Sequence, residues 1–330
     1  MNPINKNVAI IGAGLAGLNC STQLQEDGFR VQVFEKSRGP SGRMSTRSRE
    51  DWAADHGAQY FTARDSLFIE ELQTWISAGV AGAWYPNLKV FESNEWRDGS
   101  VLENRYVGIP AMNSPGKYLA KNLTIEFNQT IDQISRQNGK WSLHSIESGN
   151  IEDQFDWLVI ALPATQAFIL TKFVDESIEE SCKDFNMLGC WTVMAQFAEQ
   201  PKVSFDAAFV NNEIISWISR NNSKPGRTGQ ESWTFQANPQ WSQEWMELNK
   251  EEACKRILEC AEKLGFHFQS AEISTHRWRY ASGAISPSPE YSFFENMKLG
   301  LCGDWLHGGR VEGAWLSGLK LSNEIKMRAV

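Results

Sequence analysis

Three glycines and one glutamate near the start of the chain have the spacing of a phosphate-binding turn. Gly12, Gly14 and Gly17 follow the apolar run Val8-Ala9-Ile10-Ile11 in the pattern G-x-G-x-x-G, and Glu35 comes about 20 residues later. Gly12 would permit a tight turn, Gly14 would let a pyrophosphate approach the backbone, and Gly17 would let a helix pack closely on a strand. Glu35 would accept hydrogen bonds from ribose hydroxyls. A chance glycine-rich turn is the alternative, but the full spacing favours a dinucleotide site.

The elements that must position these residues are predicted by the same stretch. The continuous apolar run indicates a buried parallel strand, and a helical pattern runs from Leu15 to Asp27, with Gly28 in the position of a C-terminal cap. A second strand from Arg30 to Phe34 ends at Glu35. The N–H groups and the dipole at the helix N-terminus would attract phosphate. The sequence therefore predicts a Rossmann-type βαβ unit.

A cation-rich loop follows the acidic residue. Gly39-Pro40 and Ser41-Gly42 mark turns. Five cations lie within fourteen residues: Lys36, Arg38, Arg43, Arg47 and Arg49. Such a run is usually a solvated surface loop. Because this one follows the acid-bearing strand, it can instead fold back over the same pyrophosphate, and Arg43 is then the best candidate for a phosphate contact.

A second segment combines glycine with polar and aromatic residues. It reads Asp55-His56-Gly57-Ala58-Gln59-Tyr60-Phe61. The glycine would let backbone approach a ligand, the next two residues would offer backbone N–H groups, and the two aromatic residues would form a wall. The alternative is an ordinary loop with a satisfied histidine.

A third segment, His276-Arg277-Trp278-Arg279-Tyr280, alternates aromatic and cationic residues. In a strand, the histidine and the two aromatic residues would share one face, and the two arginines would share the other. The aromatic face suits stacking on a flat ring, and arginines suit a phosphate or a carboxylate. The alternative is an edge strand with a packed aromatic face.

The C-terminal region repeats the strand-then-helix arrangement. Leu299 to Cys302 predicts a strand that ends at Gly303-Asp304, and Arg310-Val311-Glu312-Gly313-Ala314 opens the final helix. The N-terminus of this helix would favour negative charge. The sequence therefore predicts a strand–helix unit near each end of the chain.

These motifs together resemble the FAD-dependent amine oxidase and phytoene desaturase superfamily. Ser41-Gly42-Arg43 stands where its members usually carry Gly-Gly-Arg, and Met44-Ser45-Thr46-Arg47 with the 55–61 segment is similar to the bacterial renalase branch. The resemblance covers the whole chain and is strongest at residues 8–61 and 272–318. It implies non-covalent FAD held by Gly12, Ala13, Gly14, Ala16, Gly17, Glu35, Lys36, Gly42, Arg43, His56, Gly57, Ala58, Gln59, Ile131, Gly303, Asp304, Glu312, Gly313 and Ala314. It also implies substrate contacts from Tyr60, Phe61, Trp278 and Arg279.

The resemblance also implies a reaction. The substrate would be an isomeric dihydronicotinamide dinucleotide, reduced at the 2- or 6-position, that passes a hydride to the flavin. Molecular oxygen would then reoxidise the flavin and give hydrogen peroxide. Since the flavin carries the redox chemistry, no catalytic side chain is assigned. Two alternatives stay open: oxidation of a small amine, and a flavin-binding protein whose role is interaction instead of turnover.

The whole sequence predicts an α/β fold with two domains. A discontinuous Rossmann-type FAD-binding domain is expected at residues 1–62, 110–165 and 282–330, and a substrate domain of mostly antiparallel sheet plus helices at residues 63–109 and 166–281. Asp98-Gly99 and Asn138-Gly139 predict turns. Asn249-x-x-Glu252 is a capping box for a helix that runs through Leu264 and covers the sheet.

Composition limits the partners and the location that we expect. The net charge of −8 argues against nucleic acid as a partner, and no apolar run approaches 18 residues, which argues against a membrane span. The six cysteines form no C-x-x-C pattern, and no histidine lies at metal-ligand spacing from them. The first strand begins within seven residues of the N-terminus, which predicts no signal peptide. We therefore expect reduced cysteines, no metal site and a cytoplasmic location.

Overall fold

The computed structural model describes residues 6–100, 103–183, 185, 187–283 and 289–329. In chain order its strands are β1 (Asn7–Ile11), β2 (Arg30–Glu35), β3 (Thr46–Ser48), β4 (Ala53–Asp55), β5 (Ala81–Trp84), β6 (Leu88–Glu92), β7 (Glu95–Asp98), β8 (Arg105–Gly108), β9 (Thr124–Phe127), β10 (Ile131–Gln137), β11 (Lys140–Ser145), β12 (Gly149–Asn150), β13 (Trp157–Ile160), β14 (Met187–Phe197), β15 (Ala207–Val210), β16 (Ile215–Arg220), β17 (Glu231–Ala237), β18 (Glu272–Gly283), β19 (Ser292–Phe294) and β20 (Leu299–Leu301). Its α-helices are α1 (Leu15–Glu26), α2 (Ser66–Ser77), α3 (Ser114–Ala120), α4 (Ala164–Thr171), α5 (Glu176–Lys183), α6 (Pro239–Glu244), α7 (Lys250–Glu262) and α8 (Val311–Ala329).

The first sheet contains six strands in the order β19-β20-β13-β1-β2-β9, and all neighbours are parallel except β19 and β20. Alternation along β1 sends Val8 and Ile10 into the core that contains α1 and α8. Ala9 and Ile11 enter a second core, shared with Trp141 of the separate β10-β11-β12 sheet. The continuous apolar run of β1 is therefore explained by burial on both faces, and the predicted Rossmann-type fold is confirmed.

Close packing of α1 and α8 joins the two ends of the chain. An added Cβ at Gly318 would lie only 2.2 Å from the Ala16 carbonyl oxygen, so glycine allows the two helix backbones to touch. Near this contact, the Asn19 side chain donates a 2.8 Å hydrogen bond to the Trp315 carbonyl. The first and last helices consequently lie side by side.

The second sheet contains seven strands in the order β18-β14-β17-β16-β15-β6-β7. Its neighbours are antiparallel except β6 and β15, so the predicted mostly antiparallel sheet is confirmed. The Asn249 side chain accepts a 2.8 Å bond from the Glu252 N–H at the start of α7. Ile257 and Ala261 of that helix enter the same core as Phe235 of β17. The predicted cap and the predicted cover of the sheet are therefore both present.

Local turns agree with the sequence in one case and differ in another. Asn138 and Gly139 have φ values of 51° and 79° and join β10 to β11, as predicted. The predicted turn at Asp98-Gly99 is wrong, because Asp98 is the last residue of β7. The β6–β7 turn is instead made by Ser93 and Asn94, with φ values of 53° and 64°.

The domain boundaries given by the sequence remain a prediction. Within the stretch assigned to the substrate domain, α2 packs on the C-terminal helix, where Phe68 lies 5.7 Å from Trp315 between ring centroids. Helices α4, α5 and α6 were not predicted, because each is short and lacks a long apolar period. Among the described residues, we find no helix with both the length and the apolar character needed to cross a membrane.

Candidate functional site

The glycine-rich turn leaves space where a phosphate would approach. An added Cβ at Gly17 would lie 2.1 Å from the Gly12 carbonyl oxygen, so helix and turn are in direct contact. An added Cβ at Gly14 would meet nothing within 4 Å. The first hydrogen bond of α1 runs from Leu18 N–H to Gly14 O at 2.9 Å. The N–H groups of residues 15–17, including Ala16, therefore come before the first hydrogen bond within the helix and can bind an anion.

Glu35 is buried at the end of β2 and holds this turn in place. Its carboxylate accepts hydrogen bonds from Ala13 N–H at 2.7 Å and from Ser37 N–H at 2.8 Å. The prediction that Ala13 binds the cofactor needs correction, because its N–H is already bound to Glu35. Each carboxylate oxygen keeps further acceptor capacity for a ribose hydroxyl. Gln129 N–H donates to Glu35 O at 3.0 Å, which brings the start of β10, at Ile131, close to the same strand end. Lys36, the next residue after Glu35, is exposed.

The cation-rich loop folds back on the glycine-rich turn, as one of the two sequence interpretations predicted. Ser41 N–H donates to Ala13 O at 2.8 Å, and an added Cβ at Gly42 would lie 3.3 Å from Gly14 Cα. Arg43 pairs with both carboxylate oxygens of Asp304, one at 3.0 Å, and donates to the Ala281 carbonyl at 3.1 Å. Two predicted cofactor residues from opposite ends of the chain are thus in direct contact.

The N-terminus of α8 completes this side of the site. Gly303 follows β20, and its N–H donates to the Ser317 hydroxyl at 3.0 Å. The first hydrogen bond of α8 runs from Ala314 N–H to Arg310 O at 2.9 Å. The N–H groups of Val311, Glu312 and Gly313 precede it, whereas the N–H of Ala314 is used inside the helix and cannot serve as predicted.

The Glu312 carboxylate has a structural role that the sequence did not reveal. Its Oε1 atom accepts hydrogen bonds from Arg64 N–H at 2.6 Å and from Asp65 N–H at 2.7 Å. Asp65 is the N-cap residue of α2. The side chain therefore fastens the start of α2 to the start of α8, and its predicted cofactor contact is limited to the backbone.

His56 lies in an aromatic cluster with one polar atom unsatisfied. The residue is 8% exposed, and its ring stacks on Trp278 with centroids 5.3 Å apart and planes at 26°. His276 closes the cluster, 4.4 Å from Trp278 and 4.9 Å from His56. Burial, with His276 and Arg47 nearby, lowers the pKa of His56 to about 3 against the opposing effect of Asp55, so the ring is neutral at pH 7. Its Nδ1 atom has no hydrogen-bond partner among the described residues.

Residues 57–59 are held by the protein more tightly than predicted. An added Cβ at Gly57 would lie 2.0 Å from Arg43 O, so this glycine allows close approach of protein backbone. Ala58 N–H donates to the same Arg43 oxygen at 2.9 Å and is not free for a flavin edge. The buried Gln59 amide donates to Asp55 O at 2.7 Å and accepts from Ser219 Oγ at 2.8 Å. These three residues shape the site through contacts with the protein.

Of the two predicted aromatic wall residues, only Tyr60 has an open side. It lines a cavity of about 300 Å³ that also contains Arg105 and Phe209. Phe61 is 3% exposed and packs between Phe68 and Trp75 at centroid distances of 6.1 Å. The prediction of a substrate contact from Phe61 is therefore wrong, because the side chain belongs to the core.

Strand β18 has the two faces that the sequence predicted. Trp278 faces the cofactor side, where its Nε1 donates to His56 O at 2.8 Å. Arg279 is on the other face, with a side chain 44% exposed and paired to Glu247 at 2.5 Å. Arg277 also lies there and donates to Met246 O at 2.9 Å. The substrate contact assigned to Arg279 stays a prediction, and here its guanidinium is paired with Glu247 on the face away from Trp278.

Comparison with known proteins places this geometry in a family. A sequence profile described as NAD(P)-binding Rossmann-like domain matches residues 10–71, and one described as flavin containing amine oxidoreductase matches residues 69–326. The second match spans most of the chain. The chain belongs to the flavin-containing amine oxidoreductase family.

Individual relatives of this amine oxidoreductase are distant. It is 26% identical to an L-amino-acid oxidase of Crotalus adamanteus over 151 residues, which cover 43% of this chain and only 28% of that protein. The cyclohexylamine oxidase of Brevibacterium oxydans IH-35A has the same fold, with a TM-score of 0.76 at 12% identity over 98% of this chain and 99% of the other. A fatty acid isomerase from P. acnes also shares the fold, with a TM-score of 0.74 at 12% identity over 98% and 99%. The fold therefore does not decide the substrate.

FAD is the cofactor of this family, and three features of the amine oxidoreductase chain fit it. Space is open at Gly14, the N-termini of α1 and α8 present N–H groups, and the buried Nδ1 of His56 lacks a partner among the described residues. Helix N-termini favour a diphosphate and an electron-rich ring edge. An unpartnered buried nitrogen indicates a polar partner outside the protein.

Behind this site lies a buried ionic cluster that the sequence did not predict. Asp55 Oδ2 is 3.0 Å from Lys224 Nζ and 2.7 Å from Arg227 Nη2, and the side chains of Asp55 and Lys224 are fully buried. Burial would raise the pKa of Asp55, but Lys224 and Arg227 outweigh it and lower that pKa to about 2. Burial lowers the pKa of Lys224 to about 8 despite the attraction of Asp55. The Lys224-Pro225-Gly226 sequence is typical of a surface loop and gave no sign of this burial.

Proposed function

We propose that this chain is a flavin-dependent oxidase that takes a hydride from a reduced nicotinamide-type ring, as in 2- or 6-dihydro isomers of NADH or NADPH. Bound FAD supplies the hydride acceptor and the reaction with oxygen that yields hydrogen peroxide. The family supports an oxidoreductase, and the ring-shaped substrate is inferred from the residues beside the cofactor site.

The observation that carries this proposal is the cluster of His56, His276 and Trp278 with Arg47 behind it. Arg47 Nη1 donates to Ser274 Oγ at 2.6 Å, and its Nη2 lies 3.2 Å from His276 Nδ1. His56 stacks on Trp278 and His276 meets both rings edge-on, so two neutral imidazoles and an indole form an aromatic cluster that suits contact with a nicotinamide-type ring. The guanidinium adds positive charge, which attracts a phosphate-bearing molecule and repels a cationic amine.

In this proposal FAD is held without a covalent bond. Gly12, Gly14, Ala16 and Gly17 would hold the diphosphate, and Glu35, Lys36 and Ile131 would hold the adenosine end. His56 would contact the flavin end, and the N-terminal turn of α8 at Glu312 and Gly313 would stabilise negative charge on it. Gly42, Arg43, Gly303 and Asp304 support this arrangement, since the Arg43–Asp304 pair joins the cation-rich loop to the end of β20.

Amine oxidation is the second candidate, and a different observation favours it. Tyr60 lies 5.4 Å from Trp217 and 6.4 Å from Trp84 between ring centroids, which makes an aromatic surface beside the cavity. An aromatic cage of this kind suits a neutral amine. The two candidates differ in the charge and the ring character of the molecule that they accept.

An anaerobic titration of the FAD-loaded protein separates these functions. We expect 2- or 6-dihydro isomers of NADH to bleach the flavin absorbance within seconds, whereas ordinary 4-dihydro NADH reacts far more slowly, because its hydride is presented from another ring position. Hydrogen peroxide should form when air is admitted. Fast bleaching by a monoamine, with no response to the isomers, would favour amine oxidation. If no compound of either class bleaches the flavin, the protein binds flavin without this turnover.

A further inference from the structure

We propose that Arg105 is the anion-binding residue of the cavity beside Tyr60, so that the natural ligand carries a carboxylate or a phosphate group. The cavity has a volume of about 300 Å³, and its walls include Tyr60, Leu88, Val90, Glu103, Arg105 and Phe209. This inference rests on the proposed function in one respect, namely that the protein binds a substrate in addition to FAD, and it assigns one part of that substrate to this cavity. It adds the chemical class of the group that the substrate must carry.

Arg105 is buried without the partners that a guanidinium needs. The residue is 8% exposed, and its Nε and Nη1 atoms have no hydrogen-bond partner within the described part of the chain. Other arginines nearby are paired: Arg43 binds Asp304, Arg64 binds Glu103, and Arg227 binds Asp55. Because arginine stays protonated in proteins, a buried guanidinium without a counter-charge is strongly unfavourable. The missing counter-charge is readily supplied by an anion in the cavity that Arg105 lines.

Contacts inside the protein compensate this charge only in part. The guanidinium carbon lies 5.1 Å from the centre of the Tyr60 ring, a cation–π distance. Glu103 also lines the cavity, but Arg64 binds both of its oxygens, at 2.6 and 2.5 Å. Glu103 is the one acid among the described residues that line the cavity, so it is shared between Arg64 and Arg105.

The remaining walls define the rest of the ligand. Leu88, Val90 and Phe209 add apolar surface to the lining of the same cavity. A volume of this size is at the lower end of small-molecule sites, which accommodate one ring and a short substituent. The occupant is thus an apolar or aromatic body that ends in an anionic group. It is either a small carboxylate or the phosphate-bearing part of a larger molecule, whose other end lies outside.

The test measures equilibrium binding to the FAD-loaded protein by calorimetry, and it does not depend on turnover. The probes are benzoate, phenyl phosphate and benzamide, which share one ring and differ in charge. We expect at least one of the two anions to bind at least tenfold more tightly than neutral benzamide. The tighter anion identifies the source of the charge, a carboxylate or a phosphate.

Variants then assign the binding to this residue. Arg105→Gln should weaken the preferred anion at least tenfold and leave benzamide unchanged, while Arg105→Lys should restore part of the affinity. Arg97→Gln is the matched control, because Arg97 lies on β7, the strand that precedes β8 in the chain, is exposed and pairs with Glu92. The flavin spectrum and the melting temperature of each variant verify that it is folded.

Two results would overturn the inference: wild-type protein that binds both anions no better than benzamide, or anion binding that Arg105→Gln leaves intact. If Arg105→Gln fails to fold, the Arg105→Lys affinities decide, because an anion site requires them to lie between the wild-type value and that of benzamide. Failure of the proposed hydride transfer would appear separately, as an unbleached flavin in a protein that still binds the anion through Arg105.

Discussion

Glu35 combines a ligand role that the sequence predicts with a backbone role that only the structure reveals. Its carboxylate already accepts two backbone N–H groups, from Ala13 and Ser37, before any ribose hydroxyl is considered. The acid therefore sets the shape of the glycine-rich turn and also faces the adenosine end of the site. Loss of the side chain would affect both functions at once.

We predict that Glu35→Ala weakens FAD binding by roughly 1.5–3 kcal/mol, the scale of a hydrogen bond to a charged group, which is about 10- to 150-fold in dissociation constant. Glu35→Gln should have a smaller effect, because the amide keeps one acceptor oxygen. The dissociation constant can be measured by titrating apoprotein with FAD and following flavin fluorescence. Glu126→Gln, an exposed acid on the adjacent strand β9, should leave it unchanged. Equal FAD affinity in wild type and Glu35→Ala would contradict this role.

The roles of residues were predicted well where a local sequence pattern determines them, and poorly where the packing of the folded chain determines them. The positions of Gly12, Gly14 and Gly17 follow from the geometry of one turn, so the sequence was sufficient. Phe61 looked like its neighbour Tyr60, yet one side chain enters the core and the other lines a cavity. Arg105 carried no sequence signal at all, because its significance lies in the partners that its Nε and Nη1 atoms lack among the described residues.

At the scale of elements, the site depends on two helices whose N-termini must stay side by side. Gly318 of α8 and the Ala16 carbonyl of α1 are in direct backbone contact, which fixes the spacing of the two N-termini. The sequence predicted each strand–helix unit separately. It could not give the distance between the helices, since they are nearly 300 residues apart in the chain.

We predict that Gly318→Ala lowers both the melting temperature and the FAD content of the purified protein. Helix propensity alone would stabilise the variant by about 1 kcal/mol, whereas the overpacked contact should cost about 1–3 kcal/mol and push the helices apart. Gly39→Ala is the matched control, because an added Cβ there meets nothing within 4 Å. A melting temperature that rises in Gly318→Ala would show that propensity dominates and that the contact is not limiting.

At the scale of the whole molecule, one buried carboxylate links the β3–β4 hairpin to the loop that follows β16 of the seven-stranded sheet. Asp55 ends β4 beside the cofactor site, while Lys224 and Arg227 follow β16 of the seven-stranded sheet. Gln59 belongs to the same network, with its Oε1 3.2 Å from Lys224 Nζ. One anion shared by two cations leaves the cluster with an excess positive charge. The two cations lower the pKa of Asp55 against the effect of its burial, whereas the pKa of Lys224 is lowered first by burial and further by Arg227.

The contrast between predicted and unpredicted parts follows from sequence separation. The apolar runs, the glycine spacing and the Asn249 cap act within a few residues and were predictable. The Asp55 cluster joins residues 169 and 172 positions apart, and the loop that supplies its cations is polar enough to be taken for surface. Long-range ionic contacts of this kind carry no periodicity, so only the folded chain reveals them.

Lys224 gives this cluster a pH dependence that can be measured. Its pKa is about 8 in the folded protein and 10.5 in an ordinary environment. Between these two values the unfolded chain binds the proton that the folded protein has released, so the free energy of unfolding should rise with pH in that window, by up to about 3 kcal/mol. Lys224→Met should abolish this rise while keeping the Asp55–Arg227 pair.

The measurement is the urea midpoint of the FAD-loaded protein at pH 7, 8, 9 and 10, with the exposed Lys255→Met as control. Because other groups titrate equally in both proteins, the difference between wild type and Lys224→Met isolates this lysine. Parallel pH curves for the two proteins would refute the lowered pKa of Lys224 in the folded protein.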